Sequence, residues 1–218
     1  MKDYQYILFD LDGTLTDSFL GISNSVKHAL KKSGREIPSD MELRKFVGPS
    51  LHYSFTVFCG MTDEEARQAI AYYREVYTVT GLFESEVYDG IEDTLKALKE
   101  AGKELLVATS KPEHYARKIV EYFGLMKYFD FVAGASLDKS RSEKEQVIAY
   151  ALEEYGITDK SKVLMVGDRK HDVEGAKIND LDCMGVLFGF GDRAELETAG
   201  AKYIAETAKD ILMILQPE

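Results

Sequence analysis

The sequence has little cysteine and no long apolar run. Only Cys59 and Cys183 occur among its 218 residues, far apart and without a partner motif. We therefore expect both to be small buried apolar residues rather than a redox or metal-binding pair. No apolar run approaches the length of a membrane span, and no charged-then-apolar leader precedes the first strand. These absences argue against a membrane-spanning protein and predict a cytoplasmic one.

Positive charge is also scarce. Lysine and arginine number 27 against 38 aspartate and glutamate residues, which gives a formal net charge of -11. We therefore do not expect nonspecific binding to nucleic acid polymers or to anionic membranes. An anionic substrate must instead be attracted locally, by a metal ion or by a few placed lysine and arginine side chains.

Two patterns of hydrophobic spacing divide the chain. Residues 18–86 carry apolar residues at helical intervals, with capping boxes at Ser39–Glu42 and Thr62–Glu65. From Tyr88 onward, short apolar runs alternate with helical segments, which is typical of a doubly wound parallel sheet. We therefore predict an α/β protein with a core of residues 1–17 and 87–218 and an inserted all-α domain of residues 18–86.

The core elements can be placed from the same patterns. The predicted strands are 6–9, 104–109, 129–133, 162–166 and 183–187. The predicted helices are 91–101, 113–123, 143–155, 173–178, 193–199 and 208–215. Parallel strands present their carboxyl ends at one edge of the sheet, and α/β enzymes build their sites there.

The first strand leads into Asp10, Asp12, Gly13 and Thr14. Side-chain direction repeats every two residues in an extended chain, so both carboxylates share one side. They repel each other unless a cation or a shared proton relieves them, and Mg²⁺ prefers such oxygen ligands. Gly13 lets the backbone turn sharply and lets a ligand approach, while Thr14 and nearby amides can donate to a phosphate. The alternative is a strand end with two solvated acids and a turn glycine.

Three later segments offer further polar groups. The strand ending at Thr109 is followed by Ser110, and these hydroxyls either bind phosphate or cap a helix. Lys144 can neutralise a phosphate or simply be a solvated lysine, and Lys139 and Arg141 compete for its role. Asp168 and Asp172 either complete a cation site or favour a helix N-terminus. His171 between them is expected to be exposed or hydrogen-bonded rather than catalytic.

The order of these motifs resembles the haloacid dehalogenase superfamily, in its phosphatase branch with a helical cap inserted after the first motif. The stretches Phe9–Leu15 and Val166–Asp172 carry the resemblance, and Thr109 and Lys144 add to it by order and spacing. The chain is most similar to the phosphoglycolate phosphatase-like group. Its cap segment Phe46–Leu51, which includes Gly48, is similar to that group's substrate-facing loop, although Ser50 stands where many members have proline.

The resemblance implies a role for each motif. Asp10 would be the nucleophile that forms an aspartyl-phosphate, and Asp12 the general acid and then the general base. Thr109 and Lys144 would hold the phosphoryl oxygens. Mg²⁺ would be bound by the Asp10 carboxylate, the Asp12 backbone carbonyl and Asp168, with Asp172 bound directly or through water. The cap would close over the site and exclude bulk water.

The expected activity is Mg²⁺-dependent hydrolysis of a small phosphorylated metabolite by a monomer or homodimer. Phosphoglycolate and nucleoside 5′-monophosphates are the leading substrates. A cationic cap pocket from Arg44 or Lys45 would favour the former, and an aromatic one from Tyr53 or Phe55 the latter. A sugar phosphomutase and a non-catalytic phosphate- or partner-binding protein stay open. Asp12 argues against dehalogenation, and the cap loop offers no lysine for phosphonate cleavage.

Overall fold

A computed structural model describes residues 2–138 and 140–215. The chain divides into two compact units, one of Met1–Thr16 with Val87–Glu218 and the other of Asp17–Glu86. The strands are β1 (Tyr6–Phe9), β2 (Thr16–Asp17), β3 (Glu86–Val87), β4 (Glu104–Pro112), β5 (Phe131–Ala135), β6 (Val163–Gly167), β7 (Asp182–Val186) and β8 (Tyr203–Ala205). The helices of the first unit are α5 (Ile91–Glu100), α6 (Glu113–Tyr122), α7 (Lys144–Tyr155), α8 (Lys170–Ile178), α9 (Arg193–Ala199) and α10 (Ala208–Leu215).

The first unit is built on a parallel sheet with the strand order β5-β4-β1-β6-β7-β8. All of its strand pairs are parallel, and helices connect most of the strands in sequence. The predicted α/β doubly wound fold is therefore confirmed. Cys183 lies in the core, where it packs with apolar residues of β1, β4, β6 and α7, whereas Cys59 is only partly buried.

The central position of β1 in the sheet determines where the candidate site lies. Ile7, Leu8 and Phe9 are fully buried because the strand is covered on both faces. Phe9 pairs with Val107 of β4 on one side and with Val166 of β6 on the other. The residues that follow these three strands therefore meet at one edge of the sheet.

Three of the predicted core elements differ from the structure by two residues or more at one or both ends. Strand β5 begins at Phe131, not at residue 129, because Phe129 still closes the short 3₁₀ turn Met126–Tyr128 and packs edge-to-face on Phe9. Strand β4 runs on to Pro112, with an irregular register against β5 after Thr109. Helix α8 begins at Lys170 instead of residue 173, because the Asp172 carboxylate accepts the Arg169 amide and so caps an earlier first turn.

The second unit is helical. Its elements are α1 (Phe19–Lys32), α2 (Asp40–Leu43), a 3₁₀ turn (Arg44–Phe46), α3 (Leu51–Tyr53), a π-helical turn (Ser54–Phe58), α4 (Asp63–Val76) and a second π-helical turn (Tyr77–Gly81). Both predicted capping boxes are present, at Ser39 with Glu42 and at Thr62 with Glu65. The chain enters this unit through β2 and leaves it through β3, and these unpredicted strands form a separate two-stranded sheet. Among the described helices, none is both long enough and apolar enough to cross a membrane.

Candidate active site

Three buried carboxylates form a cluster at the carboxyl end of the sheet. Asp10 follows β1, Asp168 follows β6, and Asp172 lies in the first turn of α8. Each is at most 5% exposed, and one oxygen from each lies within 4.8 Å of the others. A compact set of carboxylate oxygens is the donor set that a hard divalent cation prefers. The Asp12 carboxylate is not part of this cluster, and its predicted metal contact, through the backbone carbonyl, stays a prediction.

Lys144 lies against two of these carboxylates. Its Nζ atom is 2.7 Å from Asp10 Oδ1 and 2.7 Å from Asp172 Oδ1, and it donates to the Ala108 carbonyl oxygen at 3.0 Å. Burial alone would lower the pKa of this lysine, but the two carboxylates outweigh burial and raise it. The Lys144 ammonium is therefore charged and is shared between Asp10 and Asp172.

The structure separates Lys144 from Arg141, one of its two competitors. Arg141 turns away from the carboxylate cluster, since its Nε donates to the Gly134 carbonyl oxygen at 2.8 Å and its guanidinium stacks on Tyr150 at 3.5 Å from the ring centroid. The third candidate, Lys139, lies outside the described residues. His171 is partly exposed, and its Nδ1 atom lies 3.8 Å from Glu174 Oε2. In the part of the chain that the structure describes, His171 contacts none of the three carboxylates.

Burial makes the acidic cluster unfavourable when it is fully ionised. It raises the pKa of Asp172 to about 6, in spite of Lys144, and the Asp10 carboxylate adds to the increase. Burial and the charges of Asp172 and Asp10 also raise the pKa of Asp168 well above its ordinary value. A divalent cation at the cluster would reverse this effect, because it stabilises the ionised carboxylates.

Asp168 is fixed by a second loop that the sequence analysis did not identify. Its Oδ2 accepts the Phe190 amide at 2.8 Å, and its Oδ1 accepts the Thr14 hydroxyl at 3.4 Å. Gly189 and Gly191 flank Phe190, and a Cβ at either position would collide with the backbone of Gly13 or Asp168. The signal in the sequence was the spacing of the two glycines, which permits this close approach. The predicted phosphate contact of Thr14 stays a prediction.

Gly13 is required by both its backbone and its surroundings. Its φ angle is +90°, and a Cβ there would collide with the Asp168 carboxylate. Gly102 is a matched control, because its φ is +76° and a Cβ at that position would have nothing within 4 Å. We expect Gly13→Ala to lower kcat/KM for a phosphomonoester by ~100-fold or more, because the new methyl group displaces Asp168. Gly102→Ala should lose only the ~1–2 kcal/mol of stability that a left-handed backbone costs a residue with a side chain, and it should keep its activity. Equal activity of the two variants would contradict the proposed contact.

Helix α9 supports the loop that carries Asp168. The Glu195 Oε1 atom accepts the Arg169 Nε at 2.9 Å and the Lys170 amide at 2.9 Å. This carboxylate therefore connects the first turn of α9 to the first turn of α8, which holds Asp172. No sequence pattern pointed to the contact, because Glu195 is one of two glutamate residues in α9 and nothing in the spacing distinguishes it from Glu197.

Asp12 has its own lysine. The Lys111 Nζ atom is 2.9 Å from Asp12 Oδ1, and the two side chains are only 5% and 11% exposed. The sequence analysis assigned Lys111 no role. Its position two residues after Thr109 was the available signal, since alternate residues of an extended segment share one side.

The remaining predicted site residues lie in different surroundings. Thr109 is 1% exposed, and its hydroxyl accepts the Lys111 amide at 3.2 Å. Ser110 is partly exposed at the same strand end. Gly48 lies in the helical unit with a φ of +104°. The roles of these three residues stay predictions.

The aromatic and basic side chains proposed for the helical unit differ in exposure. Phe55 is fully buried against Phe46, so the suggestion that it offers an aromatic binding surface is wrong. Tyr53 is 49% exposed and contacts Phe58 edge-on. The Arg44 guanidinium lies 5.5 Å from the centre of the Phe19 ring, whereas Lys45 is exposed.

The net charge of the site suits a divalent cation. The site as a whole adds Asp12, Lys111 and Lys144 to the three clustered carboxylates. Its four buried carboxylates and two buried ammonium groups leave two negative charges in excess when all are ionised. Buried charge without a partner is strongly unfavourable. One Mg²⁺ ion would balance this excess, so the residues present fit the metal that the motifs predict.

This balance predicts how Mg²⁺ affects stability. The native pKa of Asp172 of about 6 lies above its ordinary value of 3.8, so the metal-free native state binds more protons than the unfolded chain between these values. The cluster should therefore lower the free energy of unfolding as pH rises from about 4 to about 6, and Mg²⁺ should restore it where the carboxylates are ionised. At 100 times its Kd, Mg²⁺ contributes ~2.7 kcal/mol. We expect added Mg²⁺ to raise the unfolding temperature more at pH 7.5 than at pH 5.

Asp172→Asn is the control for that measurement, since it removes the group with the shifted pKa. Both proteins are measured in EDTA. From pH 4 to pH 6, the free energy of unfolding of the parent should fall relative to that of the variant. A Mg²⁺ effect of equal size at both pH values, or one retained in full by Asp172→Asn, would contradict the assignment.

Comparisons with known proteins show to which family the chain belongs. A family model for haloacid dehalogenase-like hydrolases matches residues 7–186. The 5′-nucleotidase of Pseudomonas aeruginosa is 44% identical over 193 residues, which cover 88% of this chain and 87% of that protein. A crystal structure of a predicted phosphatase from Clostridium acetobutylicum is 47% identical with a TM-score of 0.92, and the match covers 96% of each chain.

Two further relatives widen the range of named activities. The tyrosine-protein kinase PtkA of Mycobacterium tuberculosis is 42% identical over 187 residues, which cover 86% of this chain but only 63% of that protein. A phosphoglycolate phosphatase of Vibrio parahaemolyticus is more distant, at 25% identity over 222 residues that cover 98% of this chain and 97% of that protein. The resemblance predicted from the motifs is confirmed, and the chain belongs to the haloacid dehalogenase-like hydrolase family.

Proposed function

We propose that this protein is a Mg²⁺-dependent phosphatase that hydrolyses a small phosphomonoester through an aspartyl-phosphate on Asp10. One observation carries the proposal: Asp10 lies at the end of a central buried strand, contacts the Lys144 ammonium at 2.7 Å and belongs to a carboxylate cluster suited to a divalent cation. Positioning and charge neutralisation supply most of the catalysis in phosphoryl transfer. The family and its phosphatase members support the same reaction.

The first step uses Asp10 and Asp12. An Asp10 carboxylate oxygen attacks phosphorus, the ester P–O bond breaks, and its electron pair goes to the leaving oxygen. Asp12 gives that oxygen a proton, so the alcohol leaves neutral. Lys144 offsets the charge on Asp10 and on the phosphoryl oxygens, and Thr109 donates a hydrogen bond to one of them.

The second step returns the enzyme to its starting state. A water oxygen attacks phosphorus while Asp12 takes a proton from that water. The bond between Asp10 and phosphorus breaks, phosphate leaves, and the Asp10 carboxylate is restored. Mg²⁺ bound by Asp10, the Asp12 carbonyl, Asp168 and Asp172 would supply positive charge to the phosphoryl oxygens.

A nucleoside 5′-monophosphate is the first choice of substrate. The protein named 5′-nucleotidase is 44% identical to this chain, whereas the phosphoglycolate phosphatase is 25% identical. Phosphoglycolate is the second choice. A sugar phosphomutase and a non-catalytic binding protein stay as alternatives that the assay below separates.

The test is phosphate release from a panel of phosphomonoesters, with Mg²⁺ and with EDTA. The panel contains the common nucleoside 5′-monophosphates, 2-phosphoglycolate, sugar phosphates and p-nitrophenyl phosphate. Release that requires Mg²⁺ and is fastest with one nucleotide class supports the proposal. Isomerisation of a sugar phosphate without free phosphate would favour the mutase, and no turnover of any compound would favour a binding protein.

The similarity to PtkA supports a second candidate, phosphoryl transfer to tyrosine. The two candidates leave different products when the protein is incubated with ATP labelled in its γ-phosphate. An aspartyl-phosphate is an acyl phosphate and is lost in alkali, whereas phosphotyrosine is stable there. Alkali-stable label on the protein would favour the kinase. Cytoplasmic location and a monomeric or homodimeric state stay predictions, and gel filtration tests the latter.

A further inference from the structure

Lys111 is a buried lysine to which the motifs assign no role. Its side chain is 5% exposed, and its Nζ lies 2.9 Å from Asp12 Oδ1, whose side chain is 11% exposed. A lysine is rarely buried unless it is paired, and removing a charged group from water has a large cost. The position of Lys111 therefore calls for an explanation beyond packing.

The two buried lysines of the site serve different carboxylates. Lys144 contacts Asp10 and Asp172, on the side of the nucleophile and the acidic cluster. Lys111 contacts Asp12, the proposed general acid and base. Because these ion pairs have no member in common, each lysine can be changed while the ion pair of the other is kept.

The backbone around Lys111 is held in place. Its amide donates to the Thr109 hydroxyl at 3.2 Å, and β4 continues through it to Pro112, which pairs with Ala135. Gly134 lies beside this segment, and a Cβ there would come within 2.7 Å of the Lys111 carbonyl oxygen. The absence of a side chain at residue 134 therefore lets the neighbouring strand pack closely against Lys111.

We propose that Lys111 is a positioning residue that fixes the Asp12 carboxyl group for proton transfer. This inference rests on the proposed function. A general acid must lie within hydrogen-bond reach of the leaving oxygen, and a carboxyl on a free side chain samples several rotamers. The ammonium of Lys111 restricts Asp12 to one of them, while its own backbone is fixed by Thr109 and by the sheet.

The role of Asp12 in the two steps gives the inference a specific signature. The rate constant kcat/KM covers the steps up to departure of the leaving group. An alkoxide, such as the 5′-oxygen of a nucleotide, needs a proton to leave, whereas p-nitrophenolate leaves readily without one. A defect in proton transfer therefore lowers kcat/KM for the nucleotide and spares it for p-nitrophenyl phosphate. A general loosening of the site would lower both.

The experiment compares Lys111→Met with the parent protein on adenosine 5′-monophosphate and p-nitrophenyl phosphate. If another alkyl phosphomonoester of the panel is the faster substrate, it replaces the nucleotide. We expect kcat/KM for the alkyl ester to fall ~100-fold, the range of general acid catalysis, with less than ~5-fold loss for p-nitrophenyl phosphate. Lys103→Met is the matched control, since Lys103 directly precedes β4 and pairs with Asp3 at 2.8 Å outside the site. It should leave both values unchanged.

A double variant tests whether Lys111 acts through Asp12. In an Asp12→Asn background, Lys111→Met should cause no further loss with the alkyl ester, because the two changes remove the same function. This double variant also removes both charges of the buried pair, so it suits the case in which Lys111→Met alone does not fold. Lys111→Arg keeps the positive charge. It should therefore recover part of the kcat/KM for the alkyl ester that Lys111→Met loses.

Three outcomes would overturn the inference: equal losses on both substrates, no loss on either, or losses that multiply in the double variant. Each is separate from failure of the proposed function. If the parent protein released no phosphate from either substrate with Mg²⁺, the phosphatase proposal itself would be wrong, and the Lys111 inference would be withdrawn with it.

Discussion

Asp10→Asn is expected to abolish phosphatase turnover while the protein stays folded. An amide is not a competent nucleophile toward phosphorus, so kcat should fall by about 10⁴-fold or more. Asparagine has nearly the same shape as aspartate, and Lys144 keeps its 2.7 Å contact with Asp172. The measurements are phosphate release with Mg²⁺ and thermal unfolding followed by circular dichroism.

Asp40→Asn is the matched control, because Asp40 is 71% exposed at its side chain and pairs only with Lys27 among the described residues. It should have normal activity. A rapid acid quench should trap a phosphorylated form of the parent protein and none of the Asp10 variant. More than about 1% residual turnover, judged against this ~10⁴-fold expectation, would mean that another residue attacks phosphorus.

Lys144→Met is expected to lower both the stability and the activity of the protein. The substitution leaves Asp10 and Asp172 buried without the ammonium that lies 2.7 Å from each. Breaking a buried ion pair in this way costs ~3–5 kcal/mol. The variant also loses the charge proposed to stabilise the phosphoryl oxygens, so kcat/KM should fall by about 10³-fold.

Urea unfolding at pH 7 measures the first effect, and a phosphatase assay below the unfolding range measures the second. Lys127→Met is the control, since Lys127 pairs with Glu92 on an exposed surface and its loss should not change stability measurably. Adding Asp172→Asn to Lys144→Met should recover part of the stability, because it removes one of the unpaired carboxylates. A Lys144→Met protein as stable as the Lys127 variant would show that the buried pair does not form.

The central strand and the carboxylates that follow it could be predicted from the sequence. The apolar run Tyr6–Phe9 and the Asp10, Asp12 spacing are local signals, and the structure places Asp10, Asp168 and Asp172 together at one sheet edge. The helix that carries Lys144 was also correctly predicted, with its first residue shifted by one. These features depend on periodicity, on caps and on the parallel topology.

Other parts of the site depend on contacts between distant segments, and periodicity carries no information about them. The Lys111–Asp12 pair joins two strand ends, the Phe190 amide reaches Asp168 from another loop, and Glu195 reaches Arg169 from the next helix. The early start of α8 has the same origin, because it depends on a carboxylate that also belongs to the acidic cluster. The aromatic residues of the helical unit could not be distinguished from the sequence either, because spacing does not separate the buried Phe55 from the exposed Tyr53.

The position of β1 in the sheet has a consequence for how the protein is made. Tyr6 pairs with Glu104 on one side and with Val163 on the other, so β1 must wait for two strands that are synthesised much later. Contacts this distant in sequence form slowly, because a long loop must close before they are gained. Asp10 is therefore synthesised long before the strands that flank β1 are all present. Until β6 emerges, the apolar run Tyr6–Phe9 is exposed, and we expect it to be the segment of the nascent chain most prone to aggregation or chaperone binding.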